Sequence, residues 1–425
     1  MTGMIVRIVY TLLLILAAPF LLFGLYKSKP GKPPIGKRWR EHFGFAPAIS
    51  SDSPLWLHTV SVGETIAAKP LLLALRKQHP DLPILVTTTT TTGAAIAEKL
   101  GHDIEHRYMP IDFAFAVRGF IKRINPRALV IMETELWPNT LATVSGANIP
   151  VVVMNARLSE RSKSRYQRVP PFLKLLTKNI DHIACQFRED AERFADLGFK
   201  PEQLSITGSI KFDLPQFDNQ MPDVVSLTEE IAGRPVWIAA STHPGEDDIL
   251  LQAHKALLDK VPSALMILVP RHPQRFDDVY TQAQHMGFDV VRRSSAERVS
   301  PSTQLYLGDT MGEMMKMFAV SDIAFMAGSL IGEKVGGHNL LEPASLAKPL
   351  LTGPSYYNFQ VIGDQLIEDG ACQICSTSDE IATALTAAFN APQEREQQGL
   401  QALSIVESNR GAVGKTLKAL APFIG

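Results

Sequence analysis

The sequence predicts an α/β protein: two doubly wound parallel-sheet domains of similar size behind an N-terminal hydrophobic membrane-anchor helix. Three observations carry this. Short apolar runs bounded by turn residues alternate with amphipathic helical patterns. The rhythm starts twice, on either side of a stretch rich in Pro, Asp and Asn. A charge-free run from Ile8 to Tyr26 approaches the roughly 20 residues that span a bilayer.

The N-terminus comes first. Residues 1–27 form the anchor, and Lys27, Lys29, Lys32, Lys37, Arg38 and Arg40 lie at or close behind its end, which by the positive-inside rule keeps the rest of the chain on the cytoplasmic side of the membrane. Two other readings compete. A cleaved signal peptide is disfavoured by the length of the run and by the lack of a small-residue cleavage site before a polar start. A helix lying in one leaflet would leave the body on the same side, with the basic patch on anionic lipid.

In the first domain, residues 28–212, Leu55 to Val60, Ile84 to Val86, Ala128 to Met132, Val151 to Met154 and Ile183 to Ala184 read as parallel strands, with helices such as Thr65 to Gln78 between them. Residues 213–235 are the expected linker. In residues 236–425 strands recur in "RPVWIAASTH", "ALMILVPRHP", "TQLYLGDTMGEMMKMFAVSDIAFMAGS" and "AKPLLTGP". Two such sheets facing a central cleft hold ligands at the carboxyl ends of their strands.

Composition bounds the function. With 425 residues, 45% of them hydrophobic, the chain can bury two medium cores. A formal net charge of -1 excludes a general nucleic-acid binder, so any anionic ligand is met by a local cluster. Three cysteines, Cys185, Cys372 and Cys375, fit a reducing compartment. The pair in "CQIC" has no second pair beside it and reads as structural thiols; His102 and His106, at metal-like helical spacing, read as coincidence.

Polar residues punctuate the strand ends: "SVGE" with Glu64, the threonine run ending at Gly93, "METELWPN" with Glu133 and Glu135, "NARLS" with Arg157, "ASTHPGE", "VPRHPQR", "GDTMGE" and "GSLIGEKVGGHNLLEPAS". Loops mounted on a rigid sheet are where function concentrates. Plainer readings stand beside this one. An acid such as Glu64 in a helix's first turn gains about 0.3–1 kcal/mol from the macrodipole, and Glu342 before Pro343 also fits a helix start. Glu133 and Glu135, alternating on an extended stretch, are expected to face one spot and raise one another's pKa.

These residues carry a resemblance. "HTVSVGE", "METELWPN", "NARLS", "GSIKFD", "PRHPQRF", "GDTMGE" and "GGHNLLEPA", in this order behind a hydrophobic N-terminus and "KRWREHFGF", resemble the 3-deoxy-D-manno-octulosonic acid (Kdo) transferases of lipopolysaccharide synthesis, glycosyltransferase family 30, over essentially the whole chain. The resemblance implies a GT-B fold of two Rossmann-like domains, CMP-Kdo as donor on the C-terminal domain, a tetraacyl lipid A precursor as acceptor on the N-terminal domain, and inversion at the anomeric carbon. It points to Glu64 as the base that removes the acceptor hydroxyl proton, a role in which a helix N-terminus is expected to keep it ionised. Glu133 and Glu135 follow as positioners of the acceptor or of Glu64, unranked.

On the donor side the leaving phosphate gains negative charge, which basic side chains and helix N-termini can stabilise with no metal or other cofactor. Arg271 with His272 suits the phosphate, and Lys211 the donor carboxylate or leaving group. Ser241 and Thr242 offer hydroxyls. Gly312 and Glu313 open one helix start; Glu342 is placed for a ribose diol and Asn339 to orient it.

Overall fold

The computed structural model describes residues 2–26, 35–49, 51–101, 104–295 and 297–425. Lys27, Lys29, Lys32 and His102 lie outside the described residues. The chain divides into two units, Met1–Asp213 with Asn409–Gly425, and Leu214–Ser408.

The first unit holds a seven-stranded sheet: β1 (Leu55–His58), β2 (Ile84–Thr88), β3 (Ile104–Tyr108), β4 (Ala128–Met132), β5 (Val151–Ala156), β6 (His182–Cys185) and β7 (Leu204–Ile206). Its order is β3-β2-β1-β4-β5-β6-β7, with every pairing parallel. Every residue of β1, β2, β4 and β5 is buried, because crossover helices cover both faces of a parallel sheet. That is why these strands read as unbroken apolar runs.

The second unit repeats the plan with β8 (Val236–Thr242), β9 (Leu265–Pro270), β10 (Val290–Arg292), β11 (Leu305–Leu307), β12 (Ile323–Met326), β13 (Leu350–Thr352) and β14 (Cys372–Ile374), in the order β10-β11-β9-β8-β12-β13-β14. Its pairings are also parallel. In each sheet the chain winds outward from a central strand and returns to that strand's other side. The switch points therefore lie between β1 and β4, and between β8 and β12.

Two boundaries differ from the expected ones. The stretch expected as a linker contains a helix, Pro222–Ile231, whose Val224, Leu227 and Ile231 are buried in the second unit. The chain's last helix, Ala412–Ile424, belongs to the first unit: Leu417, Leu420 and Ile424 join Leu71 and Leu75 in one core cluster. Asp213 fixes its start by accepting from the backbone N–H of Gly411 (2.6 Å) and Val413 (2.5 Å). Arg127 holds its end through the Ile424 carbonyl at 2.6 Å.

Other segments also depart from the sequence reading. The threonine run does not end in a loop: Thr90 caps a helix, Thr91–Ala97, by accepting from the Gly93 N–H. His106 sits on β3, not on a helix, between Thr88 Oγ1 (3.0 Å) and Arg38 (2.9 Å). Cys372 and Cys375 are buried with their thiols pushed up to about 12 and about 11, chiefly by desolvation, so both stay protonated at neutral pH.

Thr2–Tyr26 is one helix, apolar and long enough to cross a membrane. It packs on the first unit, and the buried Asn139 takes partners from it: Arg7 donates at 3.2 Å and Thr11 accepts at 2.9 Å. Removal as a signal peptide would strip those partners away. Of the basic patch, Arg38 is committed to Glu41 and Glu98, while Lys37 and Arg40 are exposed.

Candidate active site

In the first unit the carboxyl end of β1 runs through Thr59–Ser61 into the helix Val62–Gln78. Ser61, extended at the N-cap, accepts from the Glu64 N–H (3.2 Å) and donates to Glu64 Oε1 (2.8 Å). Glu64 Oε2 accepts from the Val60 N–H at 2.8 Å. The Ser61 side chain caps the helix, and Glu64 reaches back one residue beyond the N-cap, to the Val60 N–H, so a plain structural role at the helix start is realised. The carboxylate is nonetheless not held low. Burial pushes its pKa up; the Val60 and Ser61 hydrogen bonds oppose this, and the charges of Glu133 and Glu135 add to the upward push. The net direction is opposite to what a helix start alone gives.

Those two acids stand at the end of β4, the neighbour of β1 across the switch point. Glu133 adopts a left-handed backbone (φ 58°), unusual for a residue with a Cβ and costing of order 1–3 kcal/mol. The turn overturns the expectation of an extended stretch, although both charges still reach Glu64. Glu133 instead pairs with the Lys211 ammonium at 3.0 Å, and Glu135 accepts from the Trp137 indole N–H at 3.1 Å. Lys211, expected among the donor contacts, is thus placed with the acids of the first unit. Thr134, between the two glutamates, donates to the Arg157 carbonyl (2.7 Å) and joins this loop to "NARLS".

In the second unit, a register shift between Ala240 and Thr242 and a left-handed Ser241 (φ 61°) turn the end of β8. Thr242 is fully buried with its hydroxyl committed to Asp247 at 2.7 Å, so it offers no free hydroxyl. Its carbonyl accepts from the Arg271 N–H (3.0 Å) and from Arg275 (2.7 Å), and Arg275 is also paired with Asp247. Arg271 and His272 are exposed.

Glu246, to which the sequence assigned no role, organises this end of the sheet. It is completely buried, and its carboxylate accepts four backbone N–H groups: His243 (2.9 Å) and Gly328 (2.7 Å) on Oε2, Ser329 and Leu330 (both 3.0 Å) on Oε1. One side chain so ties the loop after β8 to the loop after β12. Gly328 is left-handed (φ 74°), and a Cβ there would meet the His338 ring at 2.8 Å, so only glycine allows that approach.

His243 and His338 were likewise missed. Their rings stack 5.1 Å apart with Nε2 atoms at 2.9 Å, and His272 meets His243 edge-on at 5.3 Å. Burial first, then neighbouring cations including Arg271, pushes His243 and His338 down to about 4. Both are therefore neutral at pH 7, one donating and the other accepting. Glu342 is pushed up by burial against the opposing pull of Asn339 and Arg271; Asn339 donates to it at 3.2 Å. Glu313 is held down to about 2, chiefly by hydrogen bonding to Arg293, with Thr310 and Lys316 adding to this. Gly312 is left-handed (φ 83°) with open space before it. The helices that follow are short, Met314–Ala319 and Leu341–Ala344, so individual amides matter there more than a macrodipole.

Residues 37–214 match the family described as 3-deoxy-D-manno-octulosonic-acid transferase (kdotransferase). A 3-deoxy-D-manno-octulosonic acid transferase of Haemophilus influenzae is 41% identical over 98% of this chain and 99% of that protein. The transferase of the same name from Bordetella pertussis is 34% identical over 88% of each. Among solved structures, a UDP-GlcNAc 2-epimerase from Neisseria meningitidis bound to UDP-GlcNAc superposes with a TM-score of 0.57 at 14% identity, over 87% of this chain and 100% of that one. At that identity the likeness is one of fold, and the fold is of the GT-B type expected from the sequence. On the near-complete match at 41% identity, the chain belongs to the 3-deoxy-D-manno-octulosonic acid (Kdo) transferases and is a glycosyltransferase.

Proposed function

We propose that this protein transfers Kdo from CMP-Kdo to a tetraacyl lipid A precursor, with inversion, at the cytoplasmic face of the inner membrane. The observation that carries the reading is Glu64: a carboxylate at the carboxyl end of β1, beside the sheet's switch point, with its proton affinity raised by burial and by Glu133 and Glu135. A sugar hydroxyl of the acceptor attacks the anomeric carbon of Kdo as the bond from that carbon to the CMP phosphate oxygen breaks. The hydroxyl proton passes to Glu64, and CMP leaves from the opposite face. Glu133, paired with Lys211, and Glu135, held by Trp137, position the base and the acceptor.

The donor is held by the second unit. Arg271 and His272, exposed at the end of β9, meet the phosphate, with the neutral His243 and His338 rings behind them. Glu342, oriented by Asn339, binds the ribose diol. Ser241 and Gly312 lie at open turns for the nucleotide, whereas Thr242 and Glu313 act by holding Asp247 and Arg293 in place.

Two results are expected. CMP release from CMP-Kdo should depend on added lipid acceptor; release at full rate without lipid would favour epimerase or hydrolase chemistry and remove the acceptor assignment. In Glu135→Gln, one of the charges that raise the Glu64 pKa is lost. The folded pKa of Glu64 falls, the base stays ionised to lower pH, and the acid limb of the kcat/KM profile moves to lower pH. An unmoved limb would separate that limb from Glu64.

A further inference from the structure

The N-terminal helix Thr2–Tyr26 is fastened to the first unit at both ends. Near its start, Arg7 donates to Asn139 Oδ1 (3.2 Å), Thr11 accepts from Asn139 Nδ2 (2.9 Å), and the Tyr10 hydroxyl bonds the carboxylate of the buried Asp112. At its end, the Tyr26 hydroxyl meets His42 Nδ1 at 2.9 Å. Between these points it packs on the helices Pro138–Ser145 and Pro170–Asn179. Arg7, Tyr10, Thr11, Leu14, Ala18 and Leu25 recur at helical spacing on the half-buried stripe. The opposite face, with Leu12, Leu13, Leu16, Phe20 and Phe23, is exposed and wholly apolar.

At 1.5 Å per residue, Arg7 and Tyr26 are about 29 Å apart along the helix, close to the roughly 30 Å hydrocarbon thickness. A bilayer-crossing helix would put its two fastened ends at opposite membrane surfaces and draw the first unit into the hydrocarbon between them. That unit carries exposed Lys174 and Lys178 on a helix packed against the N-terminal one, with exposed Arg161, Arg165 and Arg168 just before it. Charges of that kind are strongly disfavoured in acyl chains and favoured at anionic headgroups.

We propose that Thr2–Tyr26 is a rib of the first unit that lies in one leaflet of an anionic bilayer, apolar face down, and does not cross it. The inference rests on the reading that the protein works at a membrane, and adds how it sits there. It has a consequence for the site. Asn139, which the rib grips, opens the helix that follows Glu133, Glu135 and Trp137. The leaflet-seated helix and the acidic loop are thus one piece, which fixes the height of the carboxylates above the lipid.

The test uses the full chain in a Gram-negative host. The native Cys185, Cys372 and Cys375 are buried, so labelling reports on a single introduced thiol, Thr2→Cys. With a membrane-impermeant maleimide, labelling only after lysis is expected; labelling of intact spheroplasts means the helix crosses the bilayer and overturns the proposal. A Thr11→Cys/Asn139→Cys pair is then treated in isolated membranes with a short thiol-to-thiol cross-linker. Intramolecular cross-linking is expected, and its absence in protein shielded from outside means the helix lies in the leaflet apart from the unit, which overturns the rib. Protein found wholly in the soluble fraction removes the membrane reading itself.

Discussion

Replacing Glu64 by Gln is expected to lower turnover by roughly 10²- to 10⁴-fold, the usual worth of a positioned general base, while CMP-Kdo still binds. The amide preserves shape and keeps one oxygen to accept from the Val60 N–H, while its N–H₂ faces the Ser61 hydroxyl, which can turn from donor to acceptor, so the helix start survives. What it loses is the ability to take a proton. The groups assigned to the donor lie on the other unit and are untouched. Steady-state rates with the lipid acceptor, beside calorimetric titration with CMP-Kdo, separate the two effects. Near-normal turnover would remove Glu64 as the base, and loss of donor binding would give it a different role.

Replacing Glu246 by Gln should be the most damaging single-atom change in the second unit. The carboxylate accepts two N–H groups on each oxygen. An amide presents its own N–H₂ to one of those pairs, leaving two buried donors without acceptors. At about 1–3 kcal/mol for each unsatisfied buried group, the loss is about 2–6 kcal/mol, much of a domain's net stability. The loops carrying His243 and His338 lose their common tether, so donor affinity falls as well. Glu333→Gln, an exposed acid on the same loop, is the control and should change neither. Urea midpoints and the CMP-Kdo Kd of the two variants decide it; equal behaviour would contradict the assignment.

The contrast between Glu64 and Glu246 shows what was legible in the chain. Glu64 stands at the junction of an apolar run and a helical pattern, and that local punctuation marks the end of a parallel strand. Glu246 sits in a similar loop, but three of its four partners lie more than eighty residues away and all are backbone groups, which leave no trace in side-chain pattern. The His243–His338 pair is hidden for the same reason, its members being 95 residues apart.

The strands divide in the same way. Interior strands such as β4 and β8 are covered on both faces and announce themselves as apolar runs. The four strands not anticipated, β3, β7, β10 and β14, are the edges of the two sheets, where partial exposure admits Glu105, Arg107, Ser205, Arg292 and Gln373. Helix Ala412–Ile424 falls within residues 236–425, expected for the second domain, and its place in the first is hidden because it rests on tertiary packing against Leu71 and Leu75. The rise in the Glu64 pKa was hidden too, since burial and two neighbouring charges outweigh a helix start whose effect is local.

The central claim is transfer of Kdo to a lipid, and mass spectrometry of the lipid product tests it most directly. Purified, detergent-dispersed protein is incubated with CMP-Kdo and the tetraacyl lipid A precursor. The account predicts a product heavier by one or more Kdo residues, formed by the native protein and not by Glu64→Gln. An unchanged lipid mass with folded protein would contradict it and place the family's motifs here on a different donor or acceptor.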